Sequence, residues 1–84
     1  MTDSLNPRLL EAVTLALAGD WQAAHLIAQD HEANELANWI HAVCHRMEGD
    51  LGNARYWYRR CGRELDEGMP THDELLQIRA ALDR

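Results

Sequence analysis

Two histidines four residues apart, His41 and His45, are among the residues of this 84-residue sequence whose type and spacing could carry chemistry. On a helix they face the same side from consecutive turns, where two imidazoles can hold zinc or another transition metal if further ligands join them. Cys44 and Glu48 lie nearby, but position 42 is an alanine and not the glutamate of the helical zinc-enzyme motif. One hypothesis is therefore a small metal-binding or enzymatic protein centred on His41 and His45. In the alternative, one histidine lines a seam between helices and the other is solvated.

Arginines form a second group with chemical potential. All eight basic residues are arginines, and five of them lie between positions 46 and 63. Arg55 and Arg59 are spaced for one face of a helix, and arginine pairs bind carboxylates or phosphates through two parallel hydrogen bonds. These two residues are the candidate anion-binding pair. The alternative is a solvated face whose arginine stems cover aromatic rings and whose heads pair with nearby glutamates.

Residues for covalent catalysis are scarce. The chain has no lysine, which excludes Schiff-base chemistry and a phosphate-loop lysine, and Ser4 is its only serine. Cys44 and Cys61 are expected to be buried, unreactive thiols and not a disulfide. We therefore expect a protein that is not an enzyme and needs no cofactor.

Charge and hydropathy limit the partners. Fourteen acidic residues against eight basic ones give a net charge of -6, which disfavours nucleic acid and an anionic membrane as partners. The first residues do not have the pattern of a secretory signal, and no apolar run is long enough to span a bilayer. These features predict a cytoplasmic protein.

The elements that position these residues are predicted to be helices. Apolar residues recur every three or four positions in five segments separated by short breaks, which predicts five helices and no strand. Asn6, followed by Pro7, is the expected N-cap of the first helix. Thr71 and Glu74 have the spacing of a capping box at the start of the last helix.

The sequence also contains an internal repeat. Gly19-Asp20-Trp21-Gln22-Ala23-Ala24 aligns with Gly49-Asp50-Leu51-Gly52-Asn53-Ala54 at an offset of 30 residues. In each copy the glycine permits a left-handed turn, the aspartate caps the next helix, and the alanine four positions later allows two helices to approach closely. The repeat predicts two equivalent helical hairpins.

At these residues the chain resembles the tetratricopeptide family and its Sel1-like relatives. The matching positions are Ala42, the Gly49-Asp50-Leu51 turn, Ala54 and Tyr58, whereas Asn38 stands where the family has a large residue. The segment from Trp39 to Ala54 is also similar to small bacterial proteins. The resemblance implies an all-α fold of two stacked antiparallel hairpins, about 6–31 and 34–64, with a right-handed arrangement and a C-terminal capping helix at about 71–83.

The resemblance further implies a non-enzymatic interaction module that binds a peptide or a partner helix in a short groove. The expected contacts are Leu36, Trp39, Val43 and Arg46, with the arginine orienting the partner. In the alternative, Trp39 packs under the terminal helix or against a second copy of the chain in a homodimer.

Overall fold

The computed structural model describes residues 5–83. Ser4, the only serine of the sequence, lies outside this range. Five α-helices follow one another, and there is no strand within this range. They are α1 (Leu5–Leu17), α2 (Trp21–Gln29), α3 (Glu35–Glu48), α4 (Leu51–Arg60) and α5 (Thr71–Leu82). The predicted all-α class and the number of helices are confirmed.

The two Gly-Asp corners have the same geometry. Gly19 and Gly49 both have φ of +92°, in the left-handed region that closes a Schellman turn. The amides of Asp20 and Asp50 donate to the carbonyls of Leu15 and His45, at 2.9 Å in both corners. Each aspartate side chain then accepts a hydrogen bond from the amide three residues later. Both pairs therefore end one helix and begin the next, as the repeat predicts.

Helix α3 is the centre of the molecule. Its residues from position 37 to position 44 are all buried, because α1, α2, α4 and α5 all pack against it. Helices α2 and α4 contact α3 without contacting each other. Helix α5 does not pack alongside α4 at the end of a stack but lies across α1 and α3. One side of α3 therefore faces α1 and α5, and another lies between α2 and α4.

A buried carboxylate holds α5 in place. Glu74 accepts hydrogen bonds from the Trp39 indole at 2.7 Å, from the Tyr58 hydroxyl and from the Arg46 guanidinium at 2.6 Å. Arg46 also donates to the carbonyl of Met69 at 2.8 Å, which fixes the chain just before α5. Burial, together with the hydrogen bond to Glu74, raises the pKa of the Tyr58 hydroxyl. This Glu74 clamp joins α3, α4 and α5.

The open groove expected on α3 is covered, because the Glu74 clamp holds α5 against this helix. Val43 is fully buried, Trp39 is 8% exposed and the Arg46 side chain is 9% exposed, while Leu36 is half-buried against the core. The Arg63 guanidinium lies 3.8 Å from the centre of the Trp39 ring and covers the side of the ring that would otherwise face solvent. Trp39 thus packs beneath the terminal helix, which is the alternative that the sequence left open.

Two local predictions at helix ends are wrong. Helix α1 already includes Asn6, whose side-chain amide donates to the carbonyl of Leu82 at 3.2 Å and does not cap the helix. Pro70, and not Thr71, is the N-cap residue of α5, and no side chain caps this end. The capping box does not form because the Glu74 carboxylate is held by α3 and α4.

The remaining expectations about the fold concern the thiols and the membrane. Cys44 and Cys61 are both buried and free, as predicted. Among residues 5–83, the helices are all too short or too polar to cross a bilayer.

Candidate metal centre

Three histidines converge on the side of α3 that lies between α2 and α4. His25 comes from α2, and His41 and His45 come from consecutive turns of α3. One potential ligand atom from each residue lies within 4.8 Å of the other two. The ring centroids are 4.4 Å apart for His25 and His41, 5.1 Å for His25 and His45, and 5.0 Å for His41 and His45. We call these three residues the histidine cluster.

The hairpin of α2 and α3 brings the cluster together. Ala33 lies in the connecting turn, with His25 eight residues before it and His41 eight residues after it. In an antiparallel pair of helices, residues equally far from the turn lie side by side, because both helices rise by the same distance per residue. Asn34 begins α3 by accepting a hydrogen bond from the amide of Ala37 at 3.0 Å, which sets the register of the second helix.

A carboxylate orients His45. Its Nδ1 lies 2.7 Å from the Glu48 Oε1, which leaves Nε2 as the ring nitrogen free to bind a metal. A histidine bound to a carboxylate through its outer nitrogen is the usual second layer of a metal site. His45, Glu48 and Asp50 also form a group of potential ligands, but both carboxylates are exposed and Asp50 is engaged as the cap of α4.

Two buried polar atoms on this face of α3 have no hydrogen-bond partner within the described part of the chain. They are Nδ1 of His41 and Oδ1 of Asn38, which lies one turn earlier on the helix. The side-chain amide nitrogen of Asn38, Nδ2, donates a hydrogen bond to the backbone carbonyl of Glu32 at 2.8 Å. The side-chain oxygen, Oδ1, is therefore the polar atom of Asn38 without a partner. Since a buried unpaired polar group is costly, these two atoms mark a polar site within an otherwise apolar core.

An aromatic wall closes the α4 side of the cluster. The Trp57 ring stacks on the His41 ring with centroids 3.9 Å apart and planes 15° apart. Tyr56 meets Trp57 edge-on, and the Arg60 guanidinium lies 5.1 Å from the centre of the Trp57 ring. The stack fixes the plane of His41, so that this ring is ordered before any ligand arrives.

Burial keeps two of the three imidazoles neutral. It is the main reason that the pKa of His41 is lowered to about 3, with His25 and His45 adding to the effect. Burial, and then His45, likewise lowers the pKa of His25. At neutral pH the cluster therefore presents nitrogen lone pairs to a cation, which is the form of histidine that binds metals.

Sequence analysis identified His41 and His45 but did not identify His25. The available signal was the equal distance of His25 and His41 from the turn at Ala33, combined with the position of His25 directly after the buried Ala24. It becomes usable only when α2 and α3 are assumed to be an antiparallel pair.

The candidate anion-binding pair lies elsewhere, on the exposed face of α4. Arg55 and Arg59 line a depression of about 260 Å³ together with Glu64 and Leu65. Arg55 pairs with Glu67 at 3.5 Å, and both side chains are about half-exposed or more. Such exposed pairs contribute little to stability, and the acidic lining weakens the attraction for an anion.

The two thiols are separate from the histidine cluster. Burial raises the pKa of Cys44 to about 12, with Glu48 contributing, and burial also raises the pKa of Cys61. Neither thiol forms the reactive thiolate at neutral pH, in agreement with the expectation of unreactive core cysteines.

Comparison with known proteins finds no matching family model, no significantly similar curated protein and no significantly similar solved structure. The tetratricopeptide resemblance therefore remains an interpretation of the sequence. The assignment of function depends on the geometry of the site.

Proposed function

We propose that this protein binds one divalent transition-metal ion, with zinc as the reference ion, through His25, His41 and His45. The observation that carries the proposal is the convergence of three imidazoles from two helices, with their ligand atoms within 4.8 Å of one another. Imidazole nitrogen suits zinc, copper, nickel and iron, and suits calcium and magnesium poorly.

The spacing of the ligand atoms supports the proposal. Zinc binds imidazole nitrogen at about 2.0–2.1 Å in a tetrahedron, which places two nitrogens about 3.3 Å apart. Ligand atoms within 4.8 Å of one another are at most about 1.5 Å farther apart than this separation, a difference that side-chain rotation can supply. The Glu48 contact on His45 supplies the outer hydrogen bond that metal-binding histidines commonly have.

An ion at this position joins α2 to α3, because one ligand lies on the first helix and two lie on the second. The folded chain then binds metal much more strongly than the unfolded chain does, and metal stabilises the fold. At a free zinc concentration 100 times Kd, the expected gain is about 2.7 kcal/mol in the free energy of unfolding.

The direct test is isothermal titration of chelator-treated protein, without a histidine tag, with zinc. We expect one ion per chain, and we expect His25→Ala and His41→Ala to weaken binding by more than about 100-fold, since loss of an outer-shell partner alone costs about 10–100-fold. His72→Ala is the matched control, because this histidine is exposed and lies outside the cluster. Equal losses in all three variants, or no uptake by the wild type, would rule out the site.

Trp57 provides a second readout that is specific to the location. Its ring stacks on His41, so that copper bound at the cluster should strongly quench its fluorescence. The Trp57→Phe variant should still bind copper but lose a large part of the quenching, the remainder coming from Trp21, which precedes His25 by one turn of α2. Undiminished quenching in that variant would mean that the ion binds away from Trp57.

A second candidate function is the interaction module, and the Glu74 clamp favours it. Trp39 and Arg46 already hold one helix, α5, through hydrogen bonds to the carboxylate of Glu74. A partner helix that displaces α5 and carries a carboxylate at the position of Glu74 would make the same hydrogen bonds. A synthetic peptide of residues 70–83 tests this mode. It should bind the Glu74→Ala variant, whose own α5 is loosened, and should not bind the wild type. Failure to bind either protein would leave the face with no role beyond holding α5.

We also propose the cytoplasm as the site of action, because Cys44 and Cys61 are both free thiols.

A further inference from the structure

We infer, on the basis of the proposed metal centre, that the bound ion keeps a fourth coordination position for a small anion from solution, such as hydroxide or a carboxylate. Zinc, cobalt and copper take at least four ligands, and three protein ligands with one exchangeable ligand are typical of reactive sites, in contrast to closed structural ones. The histidine cluster supplies three. The identity of the fourth ligand depends on which other side chains can reach the ion.

No other histidine, cysteine or carboxylate in residues 5–83 comes within 4.8 Å of all three ligand atoms. Glu48 lies on the outer side of His45, with Oε1 at 2.7 Å from Nδ1, and therefore faces away from the ion. Cys44 is fully buried, and its sulfur is not part of the group of ligand atoms that lie within 4.8 Å of one another.

Asn38 is the strongest competitor for the fourth position, since its Oδ1 is buried and has no partner. It precedes His41 by three residues and His45 by seven, which corresponds to about 4.5 Å and about 10 Å along the helix axis. Oδ1 therefore lies nearer to the level of His41 than to that of His45, and neither this oxygen nor Nδ1 of His41 has a hydrogen-bond partner. The Asn38→Leu variant distinguishes an outer contact of Asn38 with His41 from a direct bond of Asn38 to the ion.

The charge of the centre selects an anion. Three neutral imidazoles leave the full double positive charge of the ion uncompensated, which favours an anion in the fourth position. Trp57 covers the α4 side of the cluster, whereas His25 on the α2 side is only half-buried. A small anion can therefore approach past His25 and bind the ion directly.

Cobalt(II) in place of zinc tests this inference, because its visible spectrum reports its ligands. The 84-residue protein with less than one equivalent of cobalt is titrated with sodium azide, and then separately with sodium acetate. We expect saturable changes in the visible bands at one azide per cobalt, and a new azide-to-cobalt absorption. The Asn38→Leu variant should respond to azide as the wild type does, with any loss of cobalt affinity limited to about 10–100-fold.

The possible failures are distinct. Cobalt uptake with a spectrum that azide leaves unchanged would overturn the inference and leave the metal centre intact, since the fourth ligand would then come from the protein. An azide response that appears only in Asn38→Leu would identify Asn38 as that ligand and would also overturn it. Absence of cobalt and zinc uptake would instead remove the proposed function itself.

Discussion

The indole nitrogen of Trp39 donates a hydrogen bond to the carboxylate of Glu74 at 2.7 Å, across the interface between α3 and α5. Both residues are more than nine-tenths buried, and the second oxygen of the carboxylate binds Arg46. Helix α5 is therefore attached by a charged group whose partners are all satisfied within the protein. This arrangement is far more sensitive to loss of the acceptor than to loss of any one donor.

Replacement of Glu74 with Ala should destabilise the fold strongly. The change leaves the Arg46 charge without its carboxylate partner and the Trp39 N–H and the Tyr58 hydroxyl without an acceptor. Removal of one partner from a buried charged pair costs about 3–5 kcal/mol. Urea unfolding followed by circular dichroism measures the change. Because a small domain has only about 5–15 kcal/mol of stability, Glu74→Gln is a milder second variant that keeps the shape of the side chain.

The matched control is Asp73→Ala, since Asp73 is exposed and lies in the same first turn of α5. Both acidic residues favour the helix N-terminus by about 0.3–1 kcal/mol, so that the difference between the variants isolates the clamp. Equal losses of stability in Asp73→Ala and Glu74→Ala would contradict the importance of the buried carboxylate.

Chelator-treated protein should lose stability as the pH falls below about 6.5. The pKa of His41 is lowered from 6.5 in the unfolded chain to about 3 in the folded chain. Above pH 6.5 both forms of His41 are neutral and its contribution is complete. Between pH 6.5 and about 3 the unfolded chain binds a proton that the folded chain does not, so that the free energy of unfolding falls with falling pH. The slope from one such histidine is at most about 1.4 kcal/mol per pH unit.

Urea unfolding at several pH values between 5 and 7 measures this slope, in a range where most carboxylates remain ionised. The His41→Gln variant should have a shallower slope, and the part that remains should come mainly from His25, whose pKa is also lowered. A variant as pH-dependent as the wild type would mean that His41 titrates normally in the folded protein.

The glycines at the corner between α3 and α4 should respond to alanine in opposite directions. Gly49 has φ of +92°, where an alanine costs about 1–2 kcal/mol, while Gly52 lies inside α4 in helical geometry. A Cβ on Gly52 meets only the Asp50 carboxylate at 3.9 Å, so that Gly52→Ala should stabilise the protein by about 0.5–1 kcal/mol.

Gly19→Ala is the companion to Gly49→Ala, because the two corners share the same φ and the same backbone hydrogen bonds. Thermal unfolding should give similar losses for the two variants. A large loss at one corner and none at the other would mean that the corners are not energetically equivalent.

Features that depend on local chemistry could be predicted from the sequence. A glycine that must adopt positive φ, followed by an aspartate that caps the next helix, determines a corner within six residues, and both corners are as expected. The spacing of His41 and His45 on a single helix is local in the same sense, and the stacked pair of rings is found in the structure.

Features that depend on distant contacts could not be predicted in this way. Glu74 fits a capping box when only its neighbours are considered, and its true partners lie 35, 28 and 16 residues away in the chain. His25 has no special spacing within α2, and its place in the histidine cluster is determined only by the packing of α2 on α3. The positions of the two residues could not be predicted, for the same physical reason. Contacts with distant parts of the chain determine where the side chains of Glu74 and His25 lie, whereas their neighbours in sequence are compatible with other positions.

The hydrogen bond from Asn6 to the carbonyl of Leu82 joins residues that are 76 positions apart. The hairpins of α1–α2 and α3–α4 need only short loops to form, whereas this contact requires almost the whole chain to be brought back on itself. We therefore expect the hairpins to assemble first and α5 to dock in the slowest step of folding, so that the rate of folding is governed by the last helix to arrive.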